Sequence, residues 1–227
     1  MPCFYYMRWV GLLIVFGLLW SCSTTSDSKK RVLPIIGNSD VVYKTVDGKT
    51  VTDTVYPRIP EFSMLNQDSV KVSSTTLKGN IWIADFFFTS CSTICPGMTA
   101  KMKSIQEKLK DLSKDIQFIS FSIDPEKDQP SVMRKYIKTY GINDENWVFL
   151  TGNEEETHEL GVDHFFIHAA SDPEAVDGYA HAEAFSLVDK EGYVRGVYNV
   201  QNPDELKRLE KEVRLLLKEE YGIVGSK

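Results

Sequence analysis

The run Ile81-Trp82-Ile83-Ala84-Asp85-Phe86-Phe87-Phe88 constrains this chain more than any other segment. It has the length of a strand and is almost wholly apolar, so it reads as a strand covered on both faces. Such a strand belongs in the middle of a sheet. Beyond it, Pro96 suits the first turn of a helix, and Met98, Met102, Ile105, Leu109 and Leu112 recur at intervals of four and three along one helical face. Ile116 to Ile123 is β-rich, Pro130 to Tyr140 is helical with Gly141 as its stop, and Trp147 to Leu150 is a short strand. Glu183 to Val188 and Tyr193 to Tyr198 flank the turn Asp189-Lys190-Glu191-Gly192 and form a hairpin; Pro203 to Glu220 is a charged amphipathic helix. A βαβαβ order closed by a hairpin and a helix fits an α/β, thioredoxin-like domain.

With 227 residues the chain has room for one such domain and a tail. The expected division is a lipoprotein-type signal over 1–21, a tether and N-terminal β-ribbon extension over 22–55, and the thioredoxin-like domain over 56–224. Arg8 precedes an uncharged run from Trp9 to Trp20, too short to span a bilayer and suited to an export signal. Leu19-Trp20-Ser21-Cys22 resembles the lipobox of bacterial lipoproteins, in which the cysteine is lipidated and becomes the new N-terminus. Bulky Trp20 departs from that pattern, and a plain signal peptide or a hydrophobic anchor is the alternative. Acyl chains on Cys22 would hold the body at a membrane surface outside the cytoplasm, each buried methylene contributing ~0.8 kcal/mol. Asp40 to Tyr43 and Thr50 to Thr52 are short β-like runs that suggest the ribbon. The formal charge is −6, and no basic cluster is interleaved with aromatics, so nucleic acid is not an expected partner.

Four cysteines are present. If Cys3 leaves with the signal and Cys22 carries lipid, Cys91 and Cys95 are the whole thiol chemistry. A structural disulfide is one reading outside the cytoplasm. Closing so short a loop, however, removes only about 2 kcal/mol of unfolded-state entropy and leaves a reducible bridge. Lying between a buried strand and a helix start, the pair is expected to have lowered thiol pKa values, because backbone N–H groups and the positive helix end favour thiolate. Two close sulfurs suit disulfide exchange, capture of a soft metal such as Cu(I), or half of a tetrahedral zinc site.

A third ligand would come from one of four histidines. His158 sits in the acidic stretch Glu154-Glu155-Glu156-Thr157-His158, expected to be a solvated helix face. His164 and His168 would share a face if Val162 to Ala169 were helical, although Phe165, Phe166 and Ile167 suggest a packed segment with incidental histidines. His181 lies in a Gly178-Tyr179-Ala180-His181 loop before the hairpin, which in a thioredoxin-like sheet can approach the dithiol turn. An imidazole beside two thiolates suits Cu(I) and Cu(II) alike.

These residues resemble the Sco (SenC) family of membrane-anchored copper chaperones for the CuA centre of cytochrome c oxidase. Phe86-Phe87-Phe88-Thr89-Ser90-Cys91-Ser92-Thr93-Ile94-Cys95-Pro96 is similar to the family's strand and Cys-x-x-x-Cys-Pro turn. Ser122-Ile123-Asp124-Pro125-Glu126-Lys127-Asp128 resembles its Ser-Ile/Val-Asp-Pro-x-x-Asp segment, and His181 falls where the family has its copper-binding histidine. The resemblance runs from about Tyr56 to Tyr221. It implies copper, as Cu(I), Cu(II) or both, held by Cys91, Cys95 and His181, with the cysteines cycling between dithiol and disulfide. It places Asp124 close to the site, where a cap on the following turn is the alternative role. The implied partners are the CuA-bearing subunit, a thiol reductant and a copper donor, and the implied role is that of a metallochaperone rather than a turnover enzyme. An extracytoplasmic thiol–disulfide oxidoreductase without copper delivery is the alternative function. A peroxidase is disfavoured, because no cation accompanies the cysteine turn. The stretch from His164 to Asp177 is longer and richer in His and Asp than this resemblance leads one to expect.

Overall fold

The computed structural model describes residues 31–172, 174 and 179–225, without the side chains of Ala170, Ser171, Ala180 and His181. Cys3, the apolar run and Cys22 lie outside the described residues. The chain divides into Met1–Lys30 and a compact unit from Arg31 to Lys227. In chain order the unit contains β1 (Asp40–Val46), β2 (Lys49–Val55), β3 (Ser63–Asn66), β4 (Lys71–Ser73), β5 (Ile81–Phe87), α1 (Cys95–Lys108), β6 (Ile116–Ser122) and α2 (Pro130–Tyr140). There follow β7 (Trp147–Thr151), α3 (Glu154–Glu159), β8 (Ala169–Ser171), β9 (Tyr179–His181), β10 (Ala184–Val188), β11 (Val194–Asn199) and α4 (Pro203–Tyr221).

All seven residues of β5 are buried, as its unbroken apolar pattern requires. It lies third in a seven-stranded sheet of order β11-β10-β5-β6-β7-β3-β4. β5, β6 and β7 run parallel, β10 is antiparallel to β5, and β3 is antiparallel to β7. This is a thioredoxin-like sheet with an added edge. Since β5 and β6 are parallel and in register from Ile81↔Ile116 to Phe87↔Ser122, their C-terminal ends emerge side by side. There the Ile123 N–H donates to the Phe87 carbonyl at 3.0 Å.

Helix α1 buries Met98, Met102 and Ile105, and Leu109 and Leu112 continue the buried stripe past its end. Helix α2 stops at Gly141, whose φ of 55° is the left-handed cap that glycine adopts without a Cβ clash. On β6, the Phe121 ring stacks on Phe86 at 5.2 Å, and Phe165 packs against both at 5.5 and 5.2 Å. The hairpin β1–β2 is exposed almost throughout and turns through Asp47-Gly48, both at positive φ, as a tight two-residue hairpin demands.

The sequence places the start of the domain at Tyr56, but the compact unit reaches back to Arg31. The reason is a buried cation: Arg195 donates to Asp189 at 2.8 Å, to Glu220 at 2.6 Å, and to the carbonyls of Leu33 and Pro34 at 2.6 and 3.0 Å. Val32 N–H completes the clamp on Glu220 at 2.8 Å, and Ile36 N–H bonds Val194. A second difference concerns residues 179–181, expected as loop. They form β9, paired antiparallel with β8 through Ala169↔His181, Ala170↔Ala180 and Ser171↔Tyr179. Among the described residues no helix is long and apolar enough to cross a membrane.

Candidate metal centre

The dithiol turn starts where β5 runs out of sheet. Phe88 remains buried, and its carbonyl accepts the Cys91 N–H at 3.2 Å, bending the chain away from the strand. Cys95 opens α1, and its N–H points at the Cys91 sulfur at 3.4 Å. The Cys91 sulfur also lies 3.6 Å from Thr93 Oγ1. Both cysteines are thiols, 6% and 1% exposed for Cys91 and Cys95, so the first is the more accessible.

The expectation that the helix start lowers both thiol pKa values is corrected for Cys95. Its hydrogen bond with the Cys91 side chain and its burial push the thiol up, well beyond the ordinary thiol range, and the charge of Asp85 adds to this. The backbone of Phe88 acts in the lowering direction and is outweighed.

The turn is braced from β6. Asp128, wholly buried, accepts the Thr89 N–H at 3.0 Å, the Thr89 hydroxyl, and the Ser122 hydroxyl at 2.7 Å. Burial nonetheless holds its carboxyl above the usual range. Reasoning from sequence passed over Asp128 as a site residue, although it closes the Asp-Pro-x-x-Asp segment. Asp124 caps the following turn and also acts on the Tyr179 phenol. Its buried side chain accepts the Lys127 N–H at 3.3 Å and the Lys127 ammonium at 2.8 Å, while its carbonyl takes the Asp128 N–H at 2.9 Å.

The backbone of His181 pairs with that of Ala169 in the β8–β9 ribbon. Its partner Ala169 is buried against Gly161, where a Cβ would stand 3.2 Å from both Ala169 Cβ and Phe86 Cε1. Two residues before His181, the Tyr179 ring lies 5.2 Å from Phe88. The imidazole of His181 is outside the described atoms. Among the described residues no three His, Cys, Asp or Glu side chains converge as a metal cluster; Cys91 and Cys95 form a pair.

Of the remaining histidines, His158 is not on a solvated face. Its Nε2 lies 3.2 Å from the Ile123 carbonyl, and its ring meets Tyr179 edge-on at 6.1 Å. His164 and His168 do not share a helix. A wide helical turn over Leu160–His164 ends there, Phe166 takes a φ of 58°, and the Ile167 N–H folds back onto the Gly161 carbonyl at 2.8 Å. A positive φ at an aromatic residue ends any right-handed helix.

A close cysteine pair between the central strand and first helix of a thioredoxin-like sheet defines a dithiol protein of that fold. The SCO1/SenC family model matches residues 52–217, and the chain belongs to that family. It is 40% identical to the SCO1 protein homolog of Bacillus subtilis over 153 residues, covering 67% of this chain and 79% of that protein. Among solved structures, a SCO1/SenC family lipoprotein from Bacillus anthracis is 31% identical with a TM-score of 0.64, covering 70% of this chain and 94% of that one. BsSco, described with a disulfide switch as a member of the Sco family of cytochrome c oxidase assembly proteins, is 39% identical with a TM-score of 0.62, covering 70% and 92%.

Proposed function

We propose that this protein captures copper between the thiolates of Cys91 and Cys95 and the imidazole of His181, and serves assembly of the CuA centre of cytochrome c oxidase. The observation that carries this is the Cys95 N–H seated on the Cys91 sulfur, which sets two soft donors side by side at the end of the central strand. Tyr179, on the strand that bears His181, has its ring 5.2 Å from that of Phe88, the residue that leads into the dithiol turn. Two thiolates and an imidazole suit both copper oxidation states, and a site of three donors at a domain edge can pass its cargo on by ligand exchange. The oxidase-assembly role of BsSco and the lipoprotein character of the B. anthracis relative support the partner and the anchor at Cys22.

In the proposed cycle a dithiol reductant gives two electrons and two protons to the Cys91–Cys95 disulfide, becoming a disulfide itself. Copper then replaces the two thiol protons, which pass to water, and leaves when cysteines and histidines of the CuA-bearing subunit take its place. The asymmetry of the pair favours a second reading, thiol–disulfide exchange with a target. In it the less deeply buried Cys91 attacks and Cys95 resolves the mixed disulfide.

Titrating the reduced protein with Cu(I), beside Cys91→Ser, Cys95→Ser and His181→Ala, tests the first reading. Weaker binding in all three is expected; unchanged binding in all three ends it. Retained copper binding in His181→Ala, with target reduction still dependent on both cysteines, selects the second.

A further inference from the structure

The ribbon β8–β9 is a sheet of its own, three residues per strand, and is not part of the seven-stranded ladder. Two strands of that length have no independent stability, so side-chain packing decides where the ribbon sits. One strand is seated through Ala169 on Gly161. The other is seated through Tyr179. Its ring lies between Phe88 at 5.2 Å and His158 at 6.1 Å, and its hydroxyl reaches Glu154 Oε1 at 3.5 Å.

Both ring neighbours belong to the site's framework. Phe88 holds the Cys91 N–H through its carbonyl, and His158 is fixed on the carbonyl of Ile123, which follows β6. Tyr179 thus joins the strand that ends in His181 to the residue from which the dithiol turn departs. We propose that Tyr179 is the positioning residue that registers His181 against Cys91 and Cys95, acting through its ring on Phe88 rather than through its hydroxyl. The inference rests on His181 being a copper ligand. At 3.5 Å the hydroxyl's contact with Glu154 stands at the outer limit of a hydrogen bond. The ring contact is then what the conformation of β9 depends on.

The test uses the full chain, reduced and titrated anaerobically with Cu(I) against a chromophoric chelator, with thiolate-to-Cu(II) absorption as a second readout. Tyr179→Phe should match the parent within twofold. Tyr179→Ser should bind roughly three- to tenfold more weakly, the range an aromatic pair supplies, and shift the absorption band. The dithiol–disulfide midpoint potential should not move. In a His181→Ala background, Tyr179→Ser should weaken binding no further. A loss of equal size in both backgrounds means general loosening and overturns the proposal, as does a Tyr179→Phe variant as weak as Tyr179→Ser. Unchanged binding in Tyr179→Ser with weaker binding in His181→Ala overturns it while leaving the ligand assignment standing. Unchanged binding in His181→Ala defeats the ligand assignment first. Tyr179→Leu, which keeps apolar bulk, replaces Tyr179→Ser if the latter does not fold by circular dichroism, and the same outcomes apply.

Discussion

The backbone N–H of Thr89 donates to the buried carboxylate of Asp128 at 3.0 Å, tying the segment before the first cysteine to the turn after β6. The same carboxylate accepts two hydroxyls, from Thr89 and Ser122. Asp128→Ala leaves these donors without their acceptor and should cost about 2–4 kcal/mol in urea unfolding. Asp128→Asn, which keeps the shape, isolates the charge. Because burial raises the carboxyl pKa above 3.8, the folded state holds this proton more tightly than the unfolded chain. The associated stability is fully present below the unfolded pKa and is lost as pH rises through the folded one. The stability of the parent relative to Asp128→Asn should therefore increase as pH falls from 7 to 4; a difference independent of pH would remove the assignment.

Cys91 and Cys95 should differ in reactivity, since the second is better sealed and its neighbour and burial push its thiol pKa up. Iodoacetamide at pH 8 is expected to label Cys91 at least about tenfold faster, read by peptide mass mapping. The same upward shift makes metal capture expel a proton from Cys95. Apparent Cu(I) affinity should climb between pH 6 and 8, by roughly tenfold per unit for each proton released. Equal labelling would show that the two thiols are equally sealed, and a flat pH profile that both are already deprotonated before copper binds.

Gly161→Ala places a methyl 3.1 Å from the Ile167 carbonyl and 3.2 Å from Ala169 Cβ and the Phe86 ring. Two of these are backbone or a Cβ and one is a packed core ring, so the ribbon has to lift. The expected cost is about 1–3 kcal/mol of stability, with faster amide exchange at Ala182, whose N–H bonds His168 across the ribbon. Parent-like exchange at that amide would show that the ribbon is held elsewhere.

Arg195→Met should cost about 3–5 kcal/mol, because it leaves Asp189 and Glu220 buried without their cation. It also removes the donors to the Leu33 and Pro34 carbonyls. Amide exchange at Val32 and Ile36 should accelerate beyond that of the sheet as a whole. Exchange at these two amides that changes only with global stability would show that the clamp does not fix the entering segment.

Much of this fold is written along the chain. The apolar run of β5, the proline and four-three spacing of α1, the glycine that stops α2 and the turn between β10 and β11 each act within a few residues, and each lies where its local chemistry puts it. The Cys91–Cys95 turn is legible for the same reason, being bounded by a strand on one side and Pro96 on the other.

Other features depend on neighbours remote in sequence. β3, β4, β8 and β9 are three or four residues long, too short for any periodicity to announce them, and exist because partners lie alongside. Thr89 and Asp128 are 39 residues apart. Arg195 reaches back to a segment that composition alone assigns to the tether. The direction of the Cys95 shift is opposite to the helix-start expectation: the sulfur four residues back acts within the turn, and burial adds to it once the helix is seated on the sheet. Local propensity determined which elements form and where the thiols sit; packing across the sheet decided how deeply each thiol is buried, which carboxylate braces the turn and what the strand bearing His181 packs against, since each depends on groups that only folding brings together.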